Sequence, residues 1–332
     1  TQLRYISHYP DATNDDVLNA IADTYGMDKN QIIVGNGAAE LLYAICRLPG
    51  YTGAFVPAPG FSEYKEALEA SNIPVRDIFY RPREDDNGKP YFEVPYLALE
   101  TFAAELKGQD GRIIVFLGNP NNPDGTLLDK AHIRTVATML KDANSLLVID
   151  ESFIDFVGND PLRDNDHSMR SLINEFDNII VVHSFTKFYA VPGLRIGAAF
   201  GNEKLISHLH QYIPSWSVNT LAQAYTKAAL NDVDYIKRTK QELNEERAFM
   251  YNALDAIEGI TVYPPSANFI LFKVNREGIT ANTINENLKR DNMIVRNCDS
   301  YVGLNNQWVR IAIKDHDTNI KLVEKLTDIL KV

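Results

Sequence analysis

Three short runs in this 332-residue chain contain no polar side chain: Ile113-Ile114-Val115-Phe116-Leu117, Leu146-Leu147-Val148-Ile149 and Ile179-Ile180-Val181-Val182. Each is bounded by polar or turn-forming residues, the pattern of a strand buried in a core. Helical patterns such as Ala131 to Lys141 lie between them, and strands alternating with helices predict an α/β fold with a parallel sheet and right-handed crossovers. Ligands of such sheets gather outside the carboxyl ends of the strands. Gly118-Asn119-Pro120-Asn121-Asn122-Pro123-Asp124-Gly125 follows the first run, Asp150-Glu151 the second, and His183-Ser184-Phe185-Thr186-Lys187 the third. Any one of these fits an ordinary surface loop. Together they place Asn122, Asp150 and Lys187 at one edge.

The remaining pattern extends this layout. Asp15 to Tyr25 reads as an amphipathic helix with Val17, Leu18, Ile21 and Ala22 on one face. Gln31 to Val34 leads into Gly35-Asn36-Gly37-Ala38-Ala39-Glu40 and a helix from Leu41 to Leu48. Glycines that open into a helix expose backbone N–H groups at its positive end, which suits a phosphate; the string is neither a Walker loop nor a full dinucleotide fingerprint. A strand at Ala54–Val56 ends in Pro57-Ala58-Pro59-Gly60-Phe61, and a helix Ser62 to Ala70 follows with Ser62 as expected N-cap. Val75 to Tyr80 is a strand, and Arg83 to Pro90 reads as a solvated charged loop turning at Asn87-Gly88. Arg195 to Phe200 is a further strand. Leu221 to about Ile257 is a long helical stretch with a soft break at Asn231-Asp232. From Gly259 the pattern is α+β, with strands at Ile260–Tyr263, Phe269–Val274, Met293–Arg296 and Trp308–Ile313, and helices at Ala281–Asp291 and from Thr318. Residues 1–235 are expected to form a large domain with a mostly parallel sheet, and 236–332 a smaller α+β domain.

Composition narrows the partners. The chain has 33 Lys and Arg against 44 Asp and Glu, a net charge of −11. No basic stripe is interleaved with aromatics, so nucleic acid is not expected, and an anionic ligand must be held by local arginines and backbone amides. No apolar run approaches the roughly 20 residues that span a bilayer. Cys46 and Cys298 form neither a disulfide framework nor a zinc spacing and read as core residues, which fits a reducing, cytoplasmic setting. Asp315-His316-Asp317 reads as a solvated turn, and no metal site is expected. The chain begins at Thr1 with no signal-like segment, and a trimmed amino terminus is expected.

A lysine, a carboxylate, an asparagine, a phosphate-ready helix start and an aromatic at one sheet edge are what pyridoxal phosphate requires. The lysine holds it as an imine, the carboxylate keeps its ring nitrogen protonated, and the ring oxygen needs a donor. On these strings the sequence resembles the aspartate aminotransferase superfamily, fold type I, over nearly its whole length. It is most similar to the L-threonine-O-3-phosphate decarboxylases of cobalamin biosynthesis, and next to the histidinol-phosphate aminotransferases.

The resemblance implies roles residue by residue. Ser184-x-x-Lys187-x-x-x-x-x-x-x-Arg195 supplies the imine-forming lysine with Ser184 and Arg195 on the cofactor phosphate. Asn122, in Asn-Pro-Asp-Gly where the family has Asn-Pro-Thr-Gly, matches the residue on the ring oxygen. Asp150 matches the partner of the pyridine nitrogen, Phe61 the stacked aromatic, and Gly37, Ala38 and Ala39 the phosphate turn. Tyr9 matches a tyrosine that reaches the neighbouring subunit's cofactor, which implies a homodimer. Arg310 matches the arginine that takes the substrate carboxylate, and Arg296 the second substrate arginine of the decarboxylases; Asn122 also faces the substrate.

Two features favour the decarboxylases: Asp150-Glu151-Ser152-Phe153 stands where the aminotransferases have Asp-Glu-x-Tyr, and Trp216-Ser217-Val218-Asn219 reads like the decarboxylase group. The expected substrate is a small phosphorylated amino acid. The family carries about 35 residues before the equivalent of Tyr9, including a loop that helps bind the substrate phosphate; nearly all of that is absent here. An aminotransferase of the histidinol-phosphate type is the alternative, and a non-catalytic binding module a remote one. Ser184-x-x-Lys187 also fits the serine-acylase pattern, but the Ser-Asp-Asn and Lys-Thr-Gly strings that pattern requires do not occur.

Overall fold

The three runs without polar side chains lie side by side in the middle of a seven-stranded sheet, and both faces of each are covered. The computed structural model describes residues 4, 6–106, 111–159, 162–163 and 165–331. In chain order, helix α1 (Asp15–Tyr25) precedes strand β1 (Ile32–Gly35), helix α2 (Ala38–Cys46) and strand β2 (Tyr51–Ala58). Next come α3 (Ser62–Ala70), β3 (Val75–Phe79), and a hairpin of β4 (Arg81–Glu84) and β5 (Pro90–Glu93). Helix α4 (Tyr96–Leu106), β6 (Arg112–Gly118), α5 (Lys130–Asp142), β7 (Leu146–Asp150), β8 (Ile179–Ser184) and the single turn α6 (Phe185–Phe188) follow. They lead to β9 (Gly197–Gly201), α7 (Glu203–Leu209), α8 (Thr220–Leu230) and α9 (Val233–Asp255). The chain ends with β10 (Ile260–Val262), β11 (Phe269–Val274), α10 (Ala281–Leu288), β12 (Arg296–Asn297), β13 (Trp308–Ala312) and α11 (His316–Lys331).

The large sheet has the order β1-β9-β8-β7-β6-β2-β3, and only β9 runs against its neighbours. Alternate residues of the central strands serve two cores. Val115, Leu117, Leu147, Ile149, Ile179 and Val181 pack on one face; Ile114, Phe116, Leu146, Val148, Ile180 and Val182 pack on the other. At about 1.5–3 kcal/mol per buried aliphatic side chain, both faces contribute, which is why these strands tolerate no polar residue. Register aligns the carboxyl ends: Gly118 pairs with Asp150, and Gly35 and Ser184 flank Gly197 from opposite sides.

The second sheet, β10-β11-β13-β12, is antiparallel and has its own core with α9, α10 and α11. The soft break expected at Asn231-Asp232 ends α8, and Asp232 caps α9 by accepting from the Tyr235 N–H at 3.0 Å. Two local expectations are corrected. Ser62 is not the cap of α3: Phe61 holds that position, in extended conformation and with no side-chain cap bond. The charged segment around Asn87-Gly88 is the hairpin β4–β5, whose turn is tied by Asp85 accepting from the N–H groups of Asn87 and Lys89. Every residue of β4 is exposed, so no burial pattern marks it in the sequence. Among the described residues no helix is long and apolar enough to cross a membrane, and no His, Cys, Asp and Glu cluster suits a metal ion.

Candidate active site

The end of β8 delivers Ser184 and then, within one helical turn, Lys187. Lys187 is half-buried, and its Nζ lies 4.9 Å from the centre of the Phe153 ring. Burial lowers its pKa; Asp150 pulls the other way, and Arg195 and Arg310 push it down further. A lysine poised in this way is neutral more of the time than a solvent-exposed one, the state in which an amine attacks a carbonyl.

Asp150 closes β7 and is 6% exposed. Its two carboxylate oxygens each receive one donor: the Ser152 N–H at 2.9 Å on one and the Tyr64 hydroxyl at 2.8 Å on the other. Tyr64 is fully enclosed, stacks on Phe116 (5.2 Å between centroids) and meets Phe61 edge to face at 5.6 Å. Burial and the Asp150 charge push the Tyr64 phenol well above its usual range, so it remains a donor. In the sequence Tyr64 reads as one more core aromatic of α3; its only signal is its place three residues after Phe61.

Across the edge, Gly37 begins α2 at φ 82°, and a Cβ there would stand 2.4 Å from the Arg195 guanidinium. The positive φ favours glycine here, and with no Cβ the guanidinium sits directly against the turn. The first N–H groups of α2, those of Ala38 and Ala39 among them, have no intrahelical acceptor, and Arg195 is exposed beside them in the left-handed region at φ 56°. The Ser184 and Thr186 hydroxyls lie 2.8 Å apart at the end of β8. A cradle of free amides, a guanidinium and a hydroxyl, with no room for a Cβ, fits a phosphate group.

The small sheet closes the site. Arg296 and Arg310 are register partners on the antiparallel strands β12 and β13. Arg310 donates through Nη1 to Oδ1 of Asn122, and the Tyr301 hydroxyl donates to the same oxygen at 3.1 Å. Arg296 donates to Ser300 Oγ at 3.1 Å and lies over the Tyr301 ring at 5.6 Å. A cavity of about 260 Å³ lies between Phe153, Phe269, Ile294 and the two arginines, and it shares Phe153 with Lys187. Two larger cavities, about 810 and 830 Å³, lie elsewhere, one along α9 and one beside β3 and α4, and neither touches Lys187, Asp150 or the arginine pair.

The structure thus brings together Lys187, Asp150, Asn122, Phe153 and Arg310, and separately Gly37 with Arg195. Phe61 reaches the group through Tyr64. Tyr9 lies apart: it is 82% exposed and rests on Trp216 of its own chain, 5.0 Å between centroids. Beneath the edge is a buried polar layer that sequence reading did not assign. Glu151, wholly buried, accepts from Asn119, Ser168 and the Met169 N–H at 2.6–3.0 Å. Asp155 pairs with His183 at 3.0 Å; burial opposes its ionisation, but His183, Arg170 and Lys240 outweigh burial and hold its carboxyl below the usual range.

Residues 3–326 match the profile of the family aminotransferase class I and II. The threonine-phosphate decarboxylase of Salmonella typhimurium is 31% identical over 331 residues, 98% of this chain and 84% of that protein. The histidinol-phosphate aminotransferase of Methanothermobacter thermautotrophicus is 30% identical over 334 residues, 99% of this chain and 83% of that protein. Among solved structures, the histidinol-phosphate aminotransferase from Clostridium acetobutylicum superimposes with a TM-score of 0.87 at 25% identity, covering 99% of this chain and 92% of that one.

Proposed function

This chain belongs to the aminotransferase class I and II family, with pyridoxal 5′-phosphate as its cofactor, and from that premise we propose that it decarboxylates L-threonine O-3-phosphate to (R)-1-amino-2-propanol phosphate. The observation that carries the reading is the direct pairing of Arg296 and Arg310 across β12 and β13. Two guanidinium groups from directly paired positions, lining one cavity, suit a small substrate with two anionic ends, a carboxylate and a phosphate.

When bound, the cofactor supplies a conjugated ring that accepts electrons from the substrate α-carbon. Lys187 is the residue that anchors it and later moves protons, and burial lowers the pKa of its amine. Asp150 places a buried negative charge where the ring nitrogen is expected, and Tyr64 and Ser152 hold that carboxylate still. Gly37, Ala38, Ala39, Ser184 and Arg195 are the phosphate ligands in this reading. Phe61 is the aromatic against the ring face, and Asn122 the partner of the ring oxygen. Arg310 orients the substrate carboxylate, and orientation decides which bond at the α-carbon breaks; Arg296 takes the substrate phosphate. Phe153 puts an apolar ring against Lys187 where a hydroxyl would otherwise contact the ring oxygen.

Transamination of histidinol phosphate is the second reading, supported by a relative of that name at 30% identity. The deciding assay supplies threonine phosphate alone, and separately histidinol phosphate with 2-oxoglutarate. Carbon dioxide release from the first is expected; glutamate formation from the second without carbon dioxide release from the first would overturn the reading. We further propose a homodimer in which Tyr9 serves the neighbouring site, supported by the exposed, touching rings of Tyr9 and Trp216. Sedimentation at twice the chain mass is expected, and a monomer at micromolar concentration that retains full activity would refute it.

A further inference from the structure

We propose that Tyr301 is a positioning residue that fixes which end of the Asn122 side chain faces the cofactor. The inference rests on the cofactor reading of Asn122 given above. A guanidinium and a phenolic hydroxyl converge on Asn122 Oδ1, from Arg310 and from Tyr301 at 3.1 Å. A guanidinium can only donate, so the atom it meets is the amide oxygen, and the two donors occupy both of that oxygen's lone pairs. The Asn122 NH₂ group is therefore turned to the other side, where it can donate to the ring oxygen. Phe153 offers that oxygen no donor, so the Asn122 amide carries more of the task.

Of the two donors, Arg310 is the one that a substrate carboxylate claims. Tyr301 is the one that stays. Its position is set by the small sheet rather than by the site: the Cys298 N–H bonds to the Trp308 carbonyl at 3.0 Å, and Tyr301 and Leu304 close successive turns at 3.1 and 3.0 Å. Its ring packs on the cluster of Tyr80, Phe92, Leu271 and Trp308. The same ring lies under the Arg296 guanidinium, and its neighbour Ser300 accepts from that group. One loop thus sets the amide at the cofactor's oxygen and supports the second arginine, and these two tasks use different parts of one side chain. The hydroxyl serves Asn122 and the ring serves Arg296.

The test titrates the visible absorbance of the cofactor-loaded protein against pH and measures KM and kcat on threonine phosphate. A donor to the ring oxygen stabilises its deprotonated form, so losing that donor moves the absorbance midpoint to higher pH. Tyr301→Phe keeps the ring and removes the hydroxyl; the expected result is a midpoint raised by roughly 0.5–1 pH unit, with KM changed less than about twofold because the ring stays under Arg296. Tyr301→Ala is expected to move the midpoint equally and also to raise KM about two- to fivefold, through the lost cation–π contact. Asn122→Ala serves as the reference. If Asn122→Ala moves the midpoint and Tyr301→Phe does not, the inference is wrong while the cofactor reading stands. If neither moves it, the cofactor reading of Asn122 fails and the inference falls with it.

Discussion

The wall of the site that comes from the large sheet and the wall that comes from the small sheet are built on opposite terms. On the first, Asp150, Ser184 and Tyr64 are 6%, 3% and 3% exposed, and each is held by a donor or acceptor within the sheet edge. Below them Glu151 and Asp155 are buried with their partners, so the strand ends cannot shift without breaking charged contacts that cost about 3–5 kcal/mol each to disrupt. On the second wall Arg296 is exposed, Arg310 and Tyr301 are half-buried, and β12 is two residues long. In the proposed reading, the rigid wall carries the common chemistry and the lightly held one the choice of substrate. Changes in the second wall then redirect the substrate, and they reach the cofactor only through Asn122, which Tyr301 and Arg310 hold.

The largest expected effect lies on the rigid wall. Lys187→Ala should lower turnover by more than about four orders of magnitude, beyond what a positioned proton-transfer group alone contributes, because covalent attachment is lost as well. Borohydride reduction of the wild-type protein should attach the pyridoxyl group to Lys187; label on another lysine would break the comparison at its root. Asp150→Asn should follow, with a loss of about two to four orders of magnitude from an unpartnered buried cation, while cofactor is still bound through the phosphate ligands. Turnover near the wild-type value would contradict the role given to Asp150.

The lightly held wall should respond selectively. Arg310→Lys replaces a fork with a point charge and is expected to lower kcat/KM about 10- to 150-fold on every substrate, since a charge-assisted hydrogen bond is worth about 1.5–3 kcal/mol. Arg296→Lys should show a similar loss on threonine phosphate and almost none on threonine itself. Equal losses on both substrates would mean that Arg296 does not read the phosphate.

What the sequence made legible follows the same division. The rigid wall announces itself because strands buried on both faces exclude polar residues, so the first polar residue after each run, Asp150 among them, stands out. The turn at Gly37 is visible for a different reason, as its φ of 82° favours glycine. Arg296 and Arg310 were readable as a pair only through the family resemblance, and their register only from the structure. Tyr301 was not legible: its partner Asn122 lies 179 residues away and no local pattern links them. The hairpin β4–β5 is not legible because β4 is exposed along its whole length and β5 buries only Phe92, which leaves no alternation to read.

Tyr64 tests how far the rigidity of the first wall matters, and it carries the smallest expected effect. Tyr64→Phe keeps the stack on Phe116 and the edge contact with Phe61 but removes the donor at 2.8 Å from Asp150. Among the described residues the carboxylate then keeps the Ser152 N–H alone and is freer to swing. A single hydrogen bond is worth about 0.5–1.5 kcal/mol net, so turnover should fall about two- to tenfold. The wild-type phenol is pushed up by burial and by the Asp150 charge and does not ionise in the working range, so the loss should be the same across neutral and mildly alkaline pH. KM for threonine phosphate should stay unchanged, because neither substrate arginine touches Tyr64. A raised KM with unchanged turnover would show that the two walls are coupled through α3, and the division between chemistry and substrate choice would have to be withdrawn.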